Sequence, residues 1–589
     1  MLEVDVSLVT YAPDPALLAR LLESLVEGER APPLRLFVHD NTQDAGSSRD
    51  VETVVRCATG FRSVSFTRSA RNVGFGRGHN ANAAQGDAPW LLVINPDCVL
   101  EPGAWDALRA AVARSAGDVA ALELRQVPFE HPKAYDPVTL ETPWVSGAAT
   151  LFRRRHFDAA GGFDARIFLY GEDVDLSWRL RAKGARLLYE PRAAVQHFTY
   201  EHANQVKPLQ VLRGVETNLC LRARYGGTRE ALRGLALAAR EIAGPSGFRG
   251  RRRGLALAVL RFLAQWPHFA ATRVGASERF KPEFPGWDYA RHREGAFHPM
   301  RTRRGRHGAA PLVSILIRTC GRPAWLREAL ASCAAQTHRP LEVVVVEGGS
   351  TSSRAVAEEF AGDLDIRYHA TGRDTSRVEN GNIALSLAAG EWLNFLDDDD
   401  VLFADHVELL LDAARAAALP AAYGLAWEAR TRVIDRECAL YEEAEVTTRH
   451  RQRFDRMVLW HHNYFPIQSV LFHRRLYERH GGFDEGMDQL EDWNLWTRYT
   501  LEDEFVLVPK TTSKYRVPYD VDEAARRQAQ LDAAYRDAIR RQHGMRAALS
   551  PQEVLTMAEA YARRHRLLAR WGARIPVARR VLRHMDVIR

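Results

Sequence analysis

At 589 residues the chain exceeds what one hydrophobic core organises, and a content of 46% hydrophobic and 26% charged residues is that of a folded protein, which sets disorder aside. The net charge of +7 is modest, and the excess is local: Arg249 with Arg251–Arg253, Arg301 with Arg303, Arg304 and Arg306, and an arginine-rich end from Arg563 to Arg589 favour an anionic surface or ligand. Six cysteines without a CxxC pair exclude a disulfide frame or zinc site and suit a reducing cytoplasm; no uncharged apolar run reaches the ~18 residues of a spanning helix, Leu255–Trp266 being broken by Arg261.

In chain order, an apolar strand beginning at Val6 leads within a few residues of the N-terminus to Thr10, leaving no room for an export signal. A helical pattern follows over Pro15–Leu25, then a strand over Leu34–His39 ending at Asp40, a glycine-rich stretch from Arg71 to Asn80, and a strand over Trp90–Ile94 running into Asn95-Pro96-Asp97. Gly162-Phe163-Asp164 and Gly171-Glu172-Asp173 come next, and His197 follows. From Tyr225 to Ala310 the pattern is helical and then irregular, with an aromatic and proline-rich strap over Pro282–Pro299.

The series then repeats: a strand from Val313 to Thr319, a helix over Ala324–Ala335, Val343–Val346 ending at Glu347, Trp392–Leu396 ending in Asp397–Asp400, Gly482-Phe483-Asp484, and Glu491-Asp492. Buried strands alternating with helices predict mostly parallel sheets covered by helices, with ligands at the carboxyl ends of the strands, where these acids lie. An isolated Glu-Asp pair is usually a solvated helix face. Here each pair follows a Gly-Gly-Phe-Asp segment and precedes an aromatic-rich helix, which separates it from that background. Oxygen ligands suit a hard cation such as Mg²⁺ or Mn²⁺, and a separate carboxylate serves as a proton acceptor.

These ordered motifs resemble two fused family 2 glycosyltransferases of the GT-A fold, over residues 4–225 and 311–520, and the Arg71–Asn80 stretch resembles the rhamnosyltransferase-like branch. The expected fold class is α/β, with two GT-A domains at 1–225 and 311–520, a helical and irregular linker at 226–310, and a basic helical tail at 521–589. The resemblance implies Asp173 and Asp492 as catalytic bases. It implies Thr10, Asp40, Asn72, Asn95, Thr319, Glu347, Asn382 and Asp397 in donor binding, and Asp97, His197, Asp397 and Asp399 as ligands of Mg²⁺ or Mn²⁺. The second copy departs by lacking the His and by carrying Glu347-Gly348 after its second strand; the first departs by carrying Asn95 in place of the first acid of its metal motif.

The implied function is a bifunctional, metal-dependent inverting glycosyltransferase using nucleotide-sugar donors, with dTDP-rhamnose plausible for the first domain. Its acceptor would be a lipid-linked oligosaccharide of bacterial O-antigen or capsule synthesis, its place cytoplasmic and peripheral to the inner face of the membrane, on an anionic surface touched by the tail and linker helices. Nucleic acid is not an expected partner. The alternatives are one catalytic domain with the other binding acceptor or acting as scaffold, and a non-catalytic carbohydrate-binding assembly protein.

Overall fold

The computed structural model describes residues 2–28, 31–200, 202, 205–245, 247–277, 280–305, 309–349, 352–487 and 489–559. The arginine-rich end from Arg563 on, expected to touch a membrane, lies outside the described residues. The chain divides into two compact units, one of Met1–Ala309 with Ala335–Thr337, the other of Ala310–Ala334 with His338–Arg589.

Unit one has eight strands: β1 (Val4–Thr10), β2 (Leu34–Asp40), β3 (Ser63–Arg68), β4 (Trp90–Ile94), β5 (Cys98–Leu100), β6 (Val119–Val127), β7 (Ala149–Arg153) and β8 (Arg186–His197). They form one sheet in the order β3-β2-β1-β4-β7-β6-β8-β5. The pairs β3-β2, β2-β1 and β1-β4 are parallel, β7 runs antiparallel to both β4 and β6, β8 is parallel to β6, and β5 is antiparallel to β8.

Unit two has nine: β9 (Val313–Thr319), β10 (Leu341–Glu347), β11 (Asp365–Ala370), β12 (Trp392–Asp397), β13 (Val401–Leu402), β14 (Ala421–Asp435), β15 (Leu440–Thr447), β16 (Val470–His473) and β17 (Phe505–Pro518). Their order is β11-β10-β9-β12-β16-β14-β17-β13, which repeats unit one strand for strand and direction for direction, with β15 added as a hairpin on β14. Trp90 lies opposite Val4 as Trp392 lies opposite Val313, so Asp97 corresponds to Asp399 and Asn95 to Asp397.

β1, β9, β4 and β10 are buried along their whole length, because helices cover both faces of each sheet. In unit one, Leu18, Leu21, Leu22 and Leu25 of the first helix pack with β1, β2 and β4 on one face, while Phe152, Phe157, Phe163 and Leu180 pack on the other. The helices Gly227–Ala243 and Arg251–Ala271, expected as linker, pack into unit one: Leu255, Phe262 and Phe269 share a core with Trp178, Leu219 and Tyr225. The strap pairs with the segment after β6, through Arg293 N to Pro132 O at 2.8 Å and Met300 N to Pro128 O at 2.9 Å. Among the described residues no helix is long and apolar enough to cross a membrane.

Candidate active sites

In unit one, the end of β1 and the end of β2 are joined by side chains. Thr10 Oγ1 donates to Asp40 Oδ1 at 2.9 Å, and Asp40 also accepts from Thr42 N and Oγ1 and from Ser48 Oγ. Asp40 is fully buried and its oxygens are occupied by its own loop, so it shapes that loop. Asn72 Oδ1 accepts from Gly74 N at 2.9 Å in the turn that precedes the helix Phe75–Ala83. Asn95 holds the turn after β4 by its backbone, its N–H reaching Ala148 O at 2.9 Å.

β5 pairs with β8 so that Cys98 lies opposite His197, which brings His197 Nε2 to 3.3 Å from Asp97 Oδ1. Among the described residues one group of metal-ligating type has its atoms within 4.8 Å of one another: Asp97, Cys98 and His197. Burial pushes the Cys98 thiol well up, and its Sγ faces Ala148 O, so it is a neutral and poor partner for a hard cation. His197 Nδ1 lies 2.7 Å from Gln126 Oε1, which as an acceptor fixes the proton on Nδ1 and turns the Nε2 lone pair to Asp97. Nε2 is buried with no hydrogen-bond partner. Two acceptors facing each other call for a cation between them, a proton on the imidazole or a divalent ion. The Asp97–His197 pair therefore fits the metal implied by the fold. Burial would raise the Asp97 pKa; with the proton on that imidazole, its hydrogen bond and charge outweigh burial and hold the group below its usual value.

Asp173 sits in the first turn of the helix Glu172–Ala182, after Gly171 in the left-handed conformation. Its Oδ2 accepts from Gly147 N at 2.9 Å and its Oδ1 from Val174 N at 2.8 Å. Burial nevertheless raises its pKa, and Glu172, buried beside it, is raised well above the ordinary range by burial and then by the charge of Asp173. Lys133, ion-paired with buried Glu123 at 2.5 Å, contributes the opposing charge.

Unit two presents the same frame with more charge. Glu347 is buried, accepting from Ser353 N at 2.7 Å, Ser353 Oγ at 2.6 Å and Tyr368 Oη, as Asp40 is filled in unit one. Thr319 Oγ1 donates to Asp398 Oδ2 at 2.6 Å. Asp397, expected among the metal ligands, is bound by Arg318 through Nε at 2.8 Å and Nη2 at 2.6 Å, and this guanidinium also reaches Glu491 at 3.2 Å. The Arg318 charge overrides burial and keeps Asp397 low. Arg322 pairs with Asp398 and, at 3.0 Å, with Asp399, whose side chain is 38% exposed. By strand register Tyr515 stands where His197 stands in unit one, its Oη donating to Glu428 Oε2 at 2.7 Å, and the backbone N–H of the next residue, Arg516, reaches Asp400 Oδ1 at 3.2 Å.

Asp492 opens the helix Glu491–Tyr499 behind Leu490, which is left-handed at φ 59°. That conformation is strained for a leucine and is where glycine stands in unit one. Asp492 accepts from Trp493 N at 2.8 Å and from Asn463 Nδ2 at 2.9 Å. Burial, then the charge of Glu491, raises it to about 7. Asn382, expected to bind donor, spends its amide on Phe483: Nδ2 donates to Phe483 O at 3.1 Å and Oδ1 accepts from Phe483 N at 2.7 Å. Asn80 does the same to Phe163 in unit one, so these residues brace the Gly-Phe-Asp loop.

Sequence reasoning missed Arg318, Arg322, Asn463, Gln126 and Lys133, and also Arg377, whose Nη2 donates to Glu491 Oε2 at 2.9 Å. The signal for Arg318 was present: an arginine ending an apolar buried strand requires a buried acid beside it.

Two sheets of one strand order, each with acids at the ends of its parallel strands and a Glu-Asp helix behind them, define a pair of α/β domains of GT-A type. Glycosyl transferase family 2 matches residues 314–478 and Glycosyltransferase like family 2 matches residues 138–217. The N-acetylglucosaminyl-diphospho-decaprenol L-rhamnosyltransferase of Mycobacterium tuberculosis is 32% identical over 302 residues, 42% of this chain and 95% of that protein. A PGL/p-HBAD biosynthesis glycosyltransferase of Mycobacterium bovis is 41% identical over 98 residues, covering 16% of this chain and 38% of that one. Among solved structures, a mannosyltransferase of Pyrobaculum calidifontis in complex with GDP-Man and Mn²⁺ matches at 17% identity and TM-score 0.31, over 46% of this chain and 73% of that chain. S. aureus TarS in complex with UDP matches at 16% identity and TM-score 0.30, over 35% and 60%. The chain belongs to glycosyl transferase family 2 and is a glycosyltransferase.

Proposed function

We propose that the chain is a bifunctional inverting glycosyltransferase: unit one transfers rhamnose from dTDP-rhamnose to a lipid-linked sugar, and unit two adds a second sugar, in synthesis of a bacterial surface polysaccharide such as O-antigen or capsule. The carrying observation is the recurrence of a half-buried aspartate with a raised pKa, behind a buried glutamate, at the start of the helix after Gly-Phe-Asp, Asp173 in one unit and Asp492 in the other. A carboxylate so raised holds a proton near neutrality more readily than a solvated one, as a general base requires. It takes the proton of the acceptor hydroxyl as that oxygen bonds to the anomeric carbon; the bond from that carbon to the diphosphate oxygen breaks on the opposite face. One displacement inverts the centre.

In unit one, Asp97 and His197 would hold Mg²⁺ or Mn²⁺, which supplies positive charge against the departing diphosphate. In unit two, Asp399, the more open acid, would take that part, with Arg322 beside it. The relative's lipid-linked acceptor supports a working place at the inner face of the cytoplasmic membrane. A second reading, one catalytic unit and one acceptor-binding unit, is favoured by the arginines already paired with Asp397–Asp399. The deciding experiment is turnover of UDP-, dTDP- and GDP-sugars by wild type, Asp97→Ala and Asp399→Ala. Two donors consumed, one lost in each variant, supports two catalytic units; loss of everything in one variant supports the second reading; no turnover by wild type with any donor refutes both.

A further inference from the structure

The helices Gly227–Ala243 and Arg251–Ala271 form a hairpin, closed where Arg251 Nη1 meets Glu241 O at 2.8 Å and Arg252 Nη2 meets Gly244 O at 3.1 Å. One side of the second helix, Leu255, Ala258, Phe262 and Phe269, enters the core of unit one. Its other side is apolar too: Leu257, Leu260 and Leu263 are 44%, 63% and 46% exposed, spaced at helical intervals, and Leu232 of the first helix is 57% exposed. A helix apolar on both sides needs a cover on both. The charge of the hairpin says which cover. Residues 227–271 hold eight arginines and two acids, and both acids are already in ion pairs: Glu230 with Arg222 and Arg233, Glu241 with Arg251. Arg252, Arg253 and Arg261 are exposed beside the leucines. Leucines flanked by arginines, with no unpaired carboxylate, match the acyl boundary and phosphate headgroups of an anionic bilayer.

We infer that the exposed face of this hairpin docks unit one on anionic lipid. The inference rests on the lipid-linked reading for its purpose and is tested without any acceptor. Full-length protein is floated with vesicles of phosphatidylglycerol and phosphatidylethanolamine, and with vesicles of phosphatidylcholine alone, alongside the Leu257→Ser/Leu260→Ser/Leu263→Ser variant and the Arg252→Gln/Arg253→Gln/Arg261→Gln variant. The expected result is binding to the anionic vesicles alone, weakened by salt and reduced tenfold or more in each variant, with far-UV circular dichroism unchanged. Wild-type binding that the leucine variant retains overturns the inference, since another segment then carries it. No binding by wild type overturns it as well, and so does a dimer in sedimentation that the leucine variant dissociates, which assigns the face to a second copy. Hydrolysis of dTDP-rhamnose by the same wild-type protein keeps the two questions separate: turnover without vesicle binding fells this inference alone, and binding without turnover of any donor fells the transferase assignment of unit one alone.

Discussion

Asp173 and Asp492 hold the same place but differ in their neighbour. Glu491 is bound by Arg318 and Arg377, at 3.2 Å and 2.9 Å, and its charge raises Asp492, whereas among the described residues no arginine is paired with Glu172, which rises itself. Transfer by unit two is therefore expected to climb as pH rises through about 7, where Asp492 ionises, and Glu491→Gln to move that midpoint down by removing a like charge; a pH–rate profile checks both. Asp492→Asn should lower the rate roughly 10²- to 10⁴-fold. The same substitution has an opposite effect on folding. A carboxyl raised in the folded state favours folding below its unfolded pKa and loses that contribution as pH rises through about 7, so Asp492→Asn should melt higher than wild type at pH 8 and alike at pH 4. In unit one, Gln126→Leu frees the His197 tautomer and should weaken Mn²⁺ stimulation of donor turnover by about 10- to 100-fold, read from the metal concentration at half-maximal rate.

At the scale of elements, each Gly-Phe-Asp loop is fixed from both ends. Asn80 and Asn382 brace its phenylalanine, and a later arginine takes its aspartate: Arg224 to Asp164 at 2.6 Å, Arg541 to Asp484 at 2.8 Å. The glycine before each phenylalanine is explained by the brace, since a Cβ on Gly162 or Gly482 would run into the amide oxygen of Asn80 or Asn382. Asn80→Ala leaves a backbone N–H and carbonyl of Phe163 unpaired and should cost about 1–3 kcal/mol in chemical denaturation. The motif was legible in the sequence as a spacing; the brace was not, because Asn80 and Phe163 are far apart in the chain and only the fold brings them together. The acids at strand ends were legible for the same reason as the strands, apolar runs closed by Asp or Glu. The arginines against them were not, since Arg318 and Arg322 leave β9 and its loop to meet the last residue of β12 and the one after it.

For the whole molecule, two units of one topology give a product-level prediction: Asp173→Asn and Asp492→Asn should each remove a different sugar linkage from the glycan, identified by linkage analysis of the extended acceptor. Unchanged linkages in both variants would refute the two-site reading. The repeat of motifs announced two parallel-sheet units, but the mixed half, β7, β6, β8 and β5, carries weaker sequence patterns, and there the His197–Asp97 approach depends on strand register that spacing alone does not reveal.

The two sheets also differ at a pair of facing residues on their first and second strands. In unit one Asp5 on β1 lies opposite Arg35 on β2 and receives Ala88 N at 3.0 Å and Arg154 at 2.7 Å. In unit two Ser314 lies opposite Glu342, and the carboxylate, now on the second strand, receives Ala389 N at 2.5 Å and Gly390 N at 3.2 Å. The acid that anchors the turn before the fourth strand has thus changed strands between the halves. Recombination with a crossover between first and second strand would pair Asp5 with Glu342, two buried acids side by side, or set Ser314 against Arg35, which keeps Asp87 at 2.5 Å while Arg154 loses the acid it pairs with. Each hybrid would leave a buried charged group without its partner, so exchange of a first strand between the halves is expected to destabilise the unit that receives it.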